Sequence, residues 1–453
     1  MKSRNLIILA LIVAAVAGYI FFHERHQMTT DERQQRAGKV FPEFDRDDAN
    51  VVVVDNAHGR FVMEKSGGSW RLTEPIAFEA NSAAVNSVLT SLENLNEERT
   101  LTTSDVELEA YGLDQPEMTV TVATESGAHF RLAVGEETAL GSNRALRRGD
   151  EALIVLAPGW FVTDLDKGLD DWRSRDVVDL VASDVASIQV VAGDDRIQAV
   201  RDGRRWKLLE PMEDLADADH VANLIADLNG LRIAEFLDDE TPLADIGLDP
   251  PAYQITIVRA GDGPPIRLDF GSALEQDGTT TIACRRGGSE LFRVNDGAAV
   301  RLTKAPVRWR SPKVYDFETW DVERLRLVTG EDSIALTRDE GLWTADQGGE
   351  VDHGAVQDLL TKLAELEASE FDLIQPGTDT MGTIEVTLEP DDGDAPVTVT
   401  YVFHRPLTEG GQAMVVVSAR DTVMSVDAAS VNEILVDPDE LVTSEAPAED
   451  PQE

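Results

Sequence analysis

The chain has 453 residues, 85 of them acidic and 40 basic, for a formal net charge of −45, and a single cysteine, Cys284. That charge excludes nucleic-acid binding, which needs a basic footprint; one cysteine excludes an intrachain disulfide framework and a cysteine-rich zinc site. The length allows three domains at ~150 residues each. Only 8 of the basic residues are lysine, and two explanations stay open: a surface suited to concentrated salt, where screening removes self-repulsion, or codon usage in a GC-rich genome.

From the N-terminus, Lys2 and Arg4 precede a charge-free run, Leu6–Phe22. As a helix it would reach about 26 Å at ~1.5 Å per residue, close to a bilayer core. Ala15-Val16-Ala17 offers a signal-peptidase site, but Tyr19-Ile20-Phe21-Phe22 continue the apolar run beyond it and favour a retained anchor. The two basic residues of the head set the N-terminus in the cytoplasm, so the remainder is expected outside it, at the inner membrane. Residues 1–22 are read as anchor and 23–47, polar and without a core pattern, as a stalk.

The rest of the chain repeats itself. Trp70-Arg71-Leu72-Thr73-Glu74-Pro75 returns as Trp206-Lys207-Leu208-Leu209-Glu210-Pro211, and a weaker third copy begins at Trp343. Self-similarity at a fixed period is the signature of duplicated units. A helical stripe follows each tryptophan: Val85, Val88, Leu89, Leu92, Leu95 behind Asn81; Val221, Leu224, Ile225, Leu228, Leu231 behind Asp217; Val356, Leu359, Leu360, Leu363, Leu366 behind Asp352. The spacing i, i+3, i+4, i+7, i+10 marks one face of a helix, and Asn or Asp suits its N-cap. Gly112-Leu113-Asp114-Gln115-Pro116 and Gly247-Leu248-Asp249-Pro250-Pro251 then mark a turn before an alternating strand. Trp172-Arg173-Ser174 recurs as Trp309-Arg310-Ser311. The third copy has neither the glycine turn nor this last signature.

These landmarks give repeat domains over 48–181, 182–320 and, divergent, 321–437, with an acidic tail at 438–453 expected to be disordered. Each copy reads as three strands, a helix, about four strands and a short helix. The class expected is α+β: an N-terminal transmembrane helix followed by three tandem repeats of antiparallel sheet plus helix.

The chain offers little chemistry. No phosphate-loop or Gly-x-Ser-x-Gly pattern occurs, and the seven histidines are dispersed without metal-ligand spacing. Asp164, Asp166 and Asp170 resemble the start of a calcium loop, but Gly168 replaces a ligand and the distal Glu is missing. Cys284 reads as a small core side chain. Trp70, Trp206 and Trp343 could stack on sugars, although a tryptophan at one strand position of every repeat suits a core better. No catalytic residue, cofactor or metal is expected, and no small-molecule ligand can be named. The residues singled out are a structural signature: Trp70, Pro75, Gly112, Trp172, Trp206, Pro211, Gly247, Trp309 and Trp343.

Together, Trp-x-Leu-x-x-Pro, the capped helix and Gly-Leu-Asp-x-Pro resemble a bacterial repeat family, domain of unknown function 4340. The likeness covers Asp48–Trp320 well and the third copy weakly. It implies a membrane-anchored, extracytoplasmic protein encoded beside an ABC-type transport system, and it carries over no catalytic residues. The expectation is a non-catalytic interaction or scaffold protein, accessory to such a transporter. The alternatives are an envelope glycan-binding module and, less favoured, an extracytoplasmic hydrolase.

Overall fold

The structure, a computed structural model, describes residues 36–102, 108–138, 142–237, 241–276, 278–295, 309–373, 379–389, 395–406 and 410–443. The chain forms two compact units, one up to Arg175 and one from Asp176 onward. The first holds copy one and the second holds copies two and three.

Copy one runs β1 (Ala49–Asn56), β2 (Gly59–Ser66), β3 (Ser69–Glu74), β4 (Phe78–Glu79), α1 (Ser82–Asn94), β5 (Arg99–Thr102), β6 (Met118–Thr124), β7 (His129–Glu137), β8 (Asn143–Arg148) and β9 (Leu153–Pro158). The strands pair in the order β4-β3-β2-β1-β6-β7-β8-β9-β5, all antiparallel. Period-two burial shows one face turned inward: in β6, Met118, Val120, Val122 and Thr124 are buried and the residues between them only partly so. Ala57-His58 closes the first hairpin, with Asn56 opposite Gly59.

The second copy repeats this order with nine strands, from Val185–Ala192 to Glu290–Asn295, and a helix α2 (Ala218–Asn229). The third has eight strands in the same order and a helix α3 (His353–Ala364). Its ninth counterpart, Glu350–Val351, pairs instead with Val442–Thr443.

Each helix lies against its sheet through the stripe seen in the sequence. All fifteen stripe residues, from Val85 to Leu366, are 4 % exposed or less. Full burial of one such side chain contributes roughly 1.5–3 kcal/mol, so the stripe is the main attachment of each helix. The caps are in place: Asn81 accepts from the Ala84 N–H at 3.2 Å, Asp217 from His220 at 2.9 Å, and Asp352 from Gly354 and Ala355 at 2.9 and 3.0 Å. In copy three a short helix, Ala428–Ile434, follows the last sheet strand and buries Val431 and Ile434.

Several expectations need correction. The protein is mostly antiparallel sheet, not α+β, because one helix of 12 or 13 residues serves a sheet of eight or nine strands in each copy. No helix among the described residues is long and apolar enough to cross a membrane, so the expected N-terminal transmembrane helix is not part of the fold described; Leu6–Phe22 lies outside the described residues. The segment read as stalk is packed structure from residue 36 on, with Val40, Phe41 and Phe44 buried. It belongs to a strap that opens every copy: the Val40 N–H donates to the Leu95 carbonyl and the Val314 N–H to the Leu366 carbonyl, both at 2.8 Å. The tail is ordered up to Thr443, with Pro438 and Leu441 buried; 444–453 lie outside the described residues.

Candidate functional site

The signature residues are fold residues. Trp70, Trp206 and Trp343 are 4, 5 and 6 % exposed. Each stands directly across the hairpin from a cation, Lys65, Arg201 or Arg338, whose charge lies 6.0, 4.7 and 5.8 Å from the ring. Pro75 and Pro211 follow these strands through cis peptide bonds from Glu74 and Glu210. Buried tryptophans offer no face to a sugar, so the stacking platform considered for Trp70, Trp206 and Trp343 is not available.

Gly112 and Gly247 have φ of +64° and +71°, a region that L side chains rarely adopt. They also press on the sheet. A Cβ on Gly247 would stand 2.0 Å from the Ser272 hydroxyl, and one on Gly112 would stand 2.9 Å from the Glu136 side chain. The contact needs a second glycine, Gly135 or Gly271, whose added Cβ would strike the Tyr111 or Ile246 carbonyl at 2.1 or 2.2 Å. Both second glycines sit in register shifts of their strands. They recur 136 residues apart in the sequence, the same spacing as Trp70 and Trp206.

Trp172 and Trp309 close their copies. The Asn81 N–H donates to the Trp172 carbonyl and the Asp217 N–H to the Trp309 carbonyl, both at 2.8 Å. In copy three the Asp352 N–H donates to Leu441 at 2.9 Å. A buried leucine therefore stands in the tryptophan's place, which explains why the sequence signature disappears there.

Asp164 accepts from Ser87 and Ser91 of α1 at 2.6 and 2.5 Å, so its carboxylate is committed to holding a helix. Cys284 is fully buried, and burial pushes its thiol up. Asp269 is 1 % exposed. Burial pushes its carboxyl up, but hydrogen bonds from Arg285 and Arg267 and their charges outweigh this and hold it below the usual carboxylate range.

Copies two and three meet through two groups of residues. The first is a buried ion network. Asp214 accepts from Arg310 and Arg420, each at 2.6 Å, and all three side chains are 4 % exposed or less. Arg310 reaches on to Asp372 at 2.5 Å, and that hydrogen bond holds the Asp372 carboxyl below its ordinary range. Arg420 donates to the Lys313 carbonyl at 2.6 Å. Both guanidiniums lie over Phe371, at 4.4 and 5.3 Å.

The second group forms an open cleft of about 470 Å³. One wall is the copy-two hairpin turn Asp202–Arg205; the other is the opening turn of copy three, Asp316–Asp321, with Leu388, Glu389, Ala395 and Val397. Arg204 pairs with Asp321 at 2.6 Å, and Arg205 donates to the Tyr315 hydroxyl and lies 5.1 Å over its ring. Trp320 projects from this turn, 63 % exposed. Its backbone is not loose: Arg338 donates to the Trp320 carbonyl at 3.2 Å, and Gln357 to the Thr319 hydroxyl at 3.0 Å.

The other copies show what this position requires. Each opens with a three-residue turn, Arg46–Asp48, Ala182–Asp184 and Thr319–Asp321. The same backbone bond is made in each, from Glu125, Ala260 and Glu389 to the carbonyls of Asp48, Asp184 and Asp321. In copy two Arg201 holds the turn through the Ala182 carbonyl, as Arg338 does in copy three. At the place of Trp320 the other copies carry Asp47 and Ser183. The fold therefore does not need a tryptophan there. Sequence reading missed Trp320 because it treated the residue only as a domain boundary.

Residues 70–251 and 206–385 each match the profile of the family described as Domain of unknown function (DUF4340). Both matches start at a tryptophan strand and end beyond the helix of the next copy, so each spans parts of two structural copies. No curated protein matches the chain. The two matches together run over more than half of its length, and on that ground the chain belongs to the DUF4340 family.

Proposed function

We propose that this protein is a non-catalytic interaction protein in which copies two and three act as one platform for a partner. The observation that carries the reading is Trp320: a large apolar side chain held in solvent on a fixed turn, where the equivalent turns carry Asp47 and Ser183. Such exposure has no use in folding and suits a contact surface. The buried Asp214–Arg310–Arg420 network supports a platform of fixed geometry, since Asp214 and Arg310 belong to copy two and Arg420 to copy three.

The location proposed is extracytoplasmic, at the inner membrane, and the partner proposed is an ABC-type transport complex. The charge-free run Leu6–Phe22 behind Lys2 and Arg4 supports export, and the resemblance drawn from the repeat motifs supports the partner class. Confinement near a membrane would raise the effective concentration for a weak contact.

Two measurements test this. Protease added to intact spheroplasts should digest the repeats; protection would place them in the cytoplasm. Crosslinking in native membranes should capture a transporter subunit. Turnover of an envelope substrate by the purified protein would replace the reading with an enzymatic one.

A further inference from the structure

We infer that the cleft between the Asp202–Arg205 turn and the Asp316–Asp321 turn seats a cationic, apolar segment of a partner polypeptide. The inference rests on the interaction reading and adds the place and the chemistry of the contact.

The cleft lining holds five acids against two arginines, and the arginines are already occupied. Arg204 is paired with Asp321, and Arg205 with the Tyr315 hydroxyl and the Asp316 carbonyl. Two of the acids are also satisfied, Asp202 by Lys207 and Asp316 by Lys313, at 2.6 and 2.7 Å. The carboxylates of Glu318 and Glu389 remain. Both residues are exposed, and neither side chain makes an ion pair or hydrogen bond among the described residues. Glu318 feels the Lys313 charge only without direct contact, so an anion entering here would meet net negative charge and a cation two carboxylates that have no direct partner.

The same lining is apolar in part. Phe317 and Leu388 are buried beneath it, and Val397 and Trp320 are 45 and 63 % exposed. An indole face beside free carboxylates attracts a lysine or arginine head twice, through the ring quadrupole and through charge. Val397 and Trp320 then shelter the aliphatic stem or an adjacent apolar side chain. The −45 net charge works in the same direction at longer range, since a field of one sign raises the local concentration of oppositely charged segments. The turn itself is peculiar to copy two in its charge: Gly203-Arg204-Arg205 corresponds to Gly67-Gly68-Ser69 in copy one and Glu340-Gly341-Leu342 in copy three. Arg204 thus braces the far wall through Asp321. A neutral glycan could stack on Trp320 but would draw nothing from the carboxylates or the field, and so is the weaker fit.

The test uses the full chain in detergent and a fluorescein-labelled ten-residue peptide of alternating lysine and leucine, at about 150 mM salt, where the Debye length is ~8 Å. Wild type should bind it, and should not bind a glutamate–leucine peptide of the same length. Trp320→Ser and the double variant Glu318→Gln/Glu389→Gln should each weaken binding by about tenfold. Leu342→Ala, which removes a side chain 62 % exposed on another turn, should leave affinity unchanged. No binding by wild type, or equal affinity in Trp320→Ser and Leu342→Ala, overturns the inference. So does a neutral chito-oligosaccharide whose binding depends on Trp320 while that of the peptide does not. Membrane crosslinking separates the two levels. Capture of a polypeptide partner by Trp320→Ser at wild-type yield sinks the cleft and leaves the interaction reading; capture of none by wild type sinks the reading itself.

Discussion

The tryptophan strand and the opening turn occur in every copy, yet they carry opposite kinds of residue. On the strand Trp70, Trp206 and Trp343 are buried beneath a cross-strand cation. On the turn Asp47, Ser183 and Trp320 share one backbone geometry and differ in everything else. A residue that returns in every copy is doing what every copy needs, which is to fold. A large side chain that occurs in one copy and faces water is under a different constraint. In a duplicated protein the copies serve as one another's controls, and departures from the repeat deserve more functional weight than the repeat itself.

The strongest way to break that comparison is at the strand. Trp206→Ala should cost about 3–5 kcal/mol, the range for truncating a buried tryptophan, measured as a shift in the denaturation midpoint. Leu228→Asp, a charge placed on the fully buried stripe of α2, should cost about as much. A loss under ~1 kcal/mol at Trp206 would mean that recurrence does not report on folding here.

How much of this could be read beforehand follows the range of each interaction. The helix stripes and the caps Asn81, Asp217 and Asp352 were legible because helix periodicity and capping act within a few residues. The strands Phe78–Glu79 and Arg99–Thr102 were not, being too short to show a period. The opening strap of copy one reads as stalk because Val40 and Phe44 follow no alternation. The Gly135 and Gly271 contacts arise from a turn and a strand meeting in space. Arg420 lies 206 residues from the Asp214 it pairs with, and no local pattern announces such a contact. Trp320 was in plain view, but its meaning depends on an exposure that sequence alone does not give.

The joint between copies two and three offers the next test. Arg420→Ala should cost about 3 kcal/mol, because it removes one of the two cations facing buried Asp214 and strips the Lys313 carbonyl of its donor. The same variant should also loosen copy three against copy two, seen as faster proteolysis at Ser311–Lys313. A variant as stable as wild type would show that apolar packing alone, not the ion network, joins the two copies.

A smaller effect, and one that depends on pH, is expected inside copy two. Asp269 has its carboxyl held below the usual range by Arg285 and Arg267 despite burial. A depressed folded pKa contributes stability that is fully present above the unfolded value of about 3.9 and is lost as pH falls through the folded value. Asp269→Asn should therefore cost roughly 2 kcal/mol at pH 7, with the difference from wild type closing below about pH 4. A gap that stayed constant down to pH 2 would assign the loss to packing instead of charge.

The smallest effect is the one on which the functional reading depends. Trp320→Ser puts the residue of copy two into the equivalent turn of copy three. The turn is held by backbone acceptors and by Thr319, none of which involves the indole. Removing a side chain that is 63 % exposed forfeits at most about 90 Å² of buried area, an upper bound of ~2 kcal/mol, so the cost should be about 1 kcal/mol and well below that of Trp206→Ala. Denaturation of Trp320→Ser beside Trp206→Ala checks this directly, since the two changes delete comparable aromatic bulk from opposite environments. A cost of about 3 kcal/mol or more for Trp320→Ser, the range expected for Trp206→Ala, would make it a folding residue like Trp70, Trp206 and Trp343, and would remove the observation from which the interaction function is inferred.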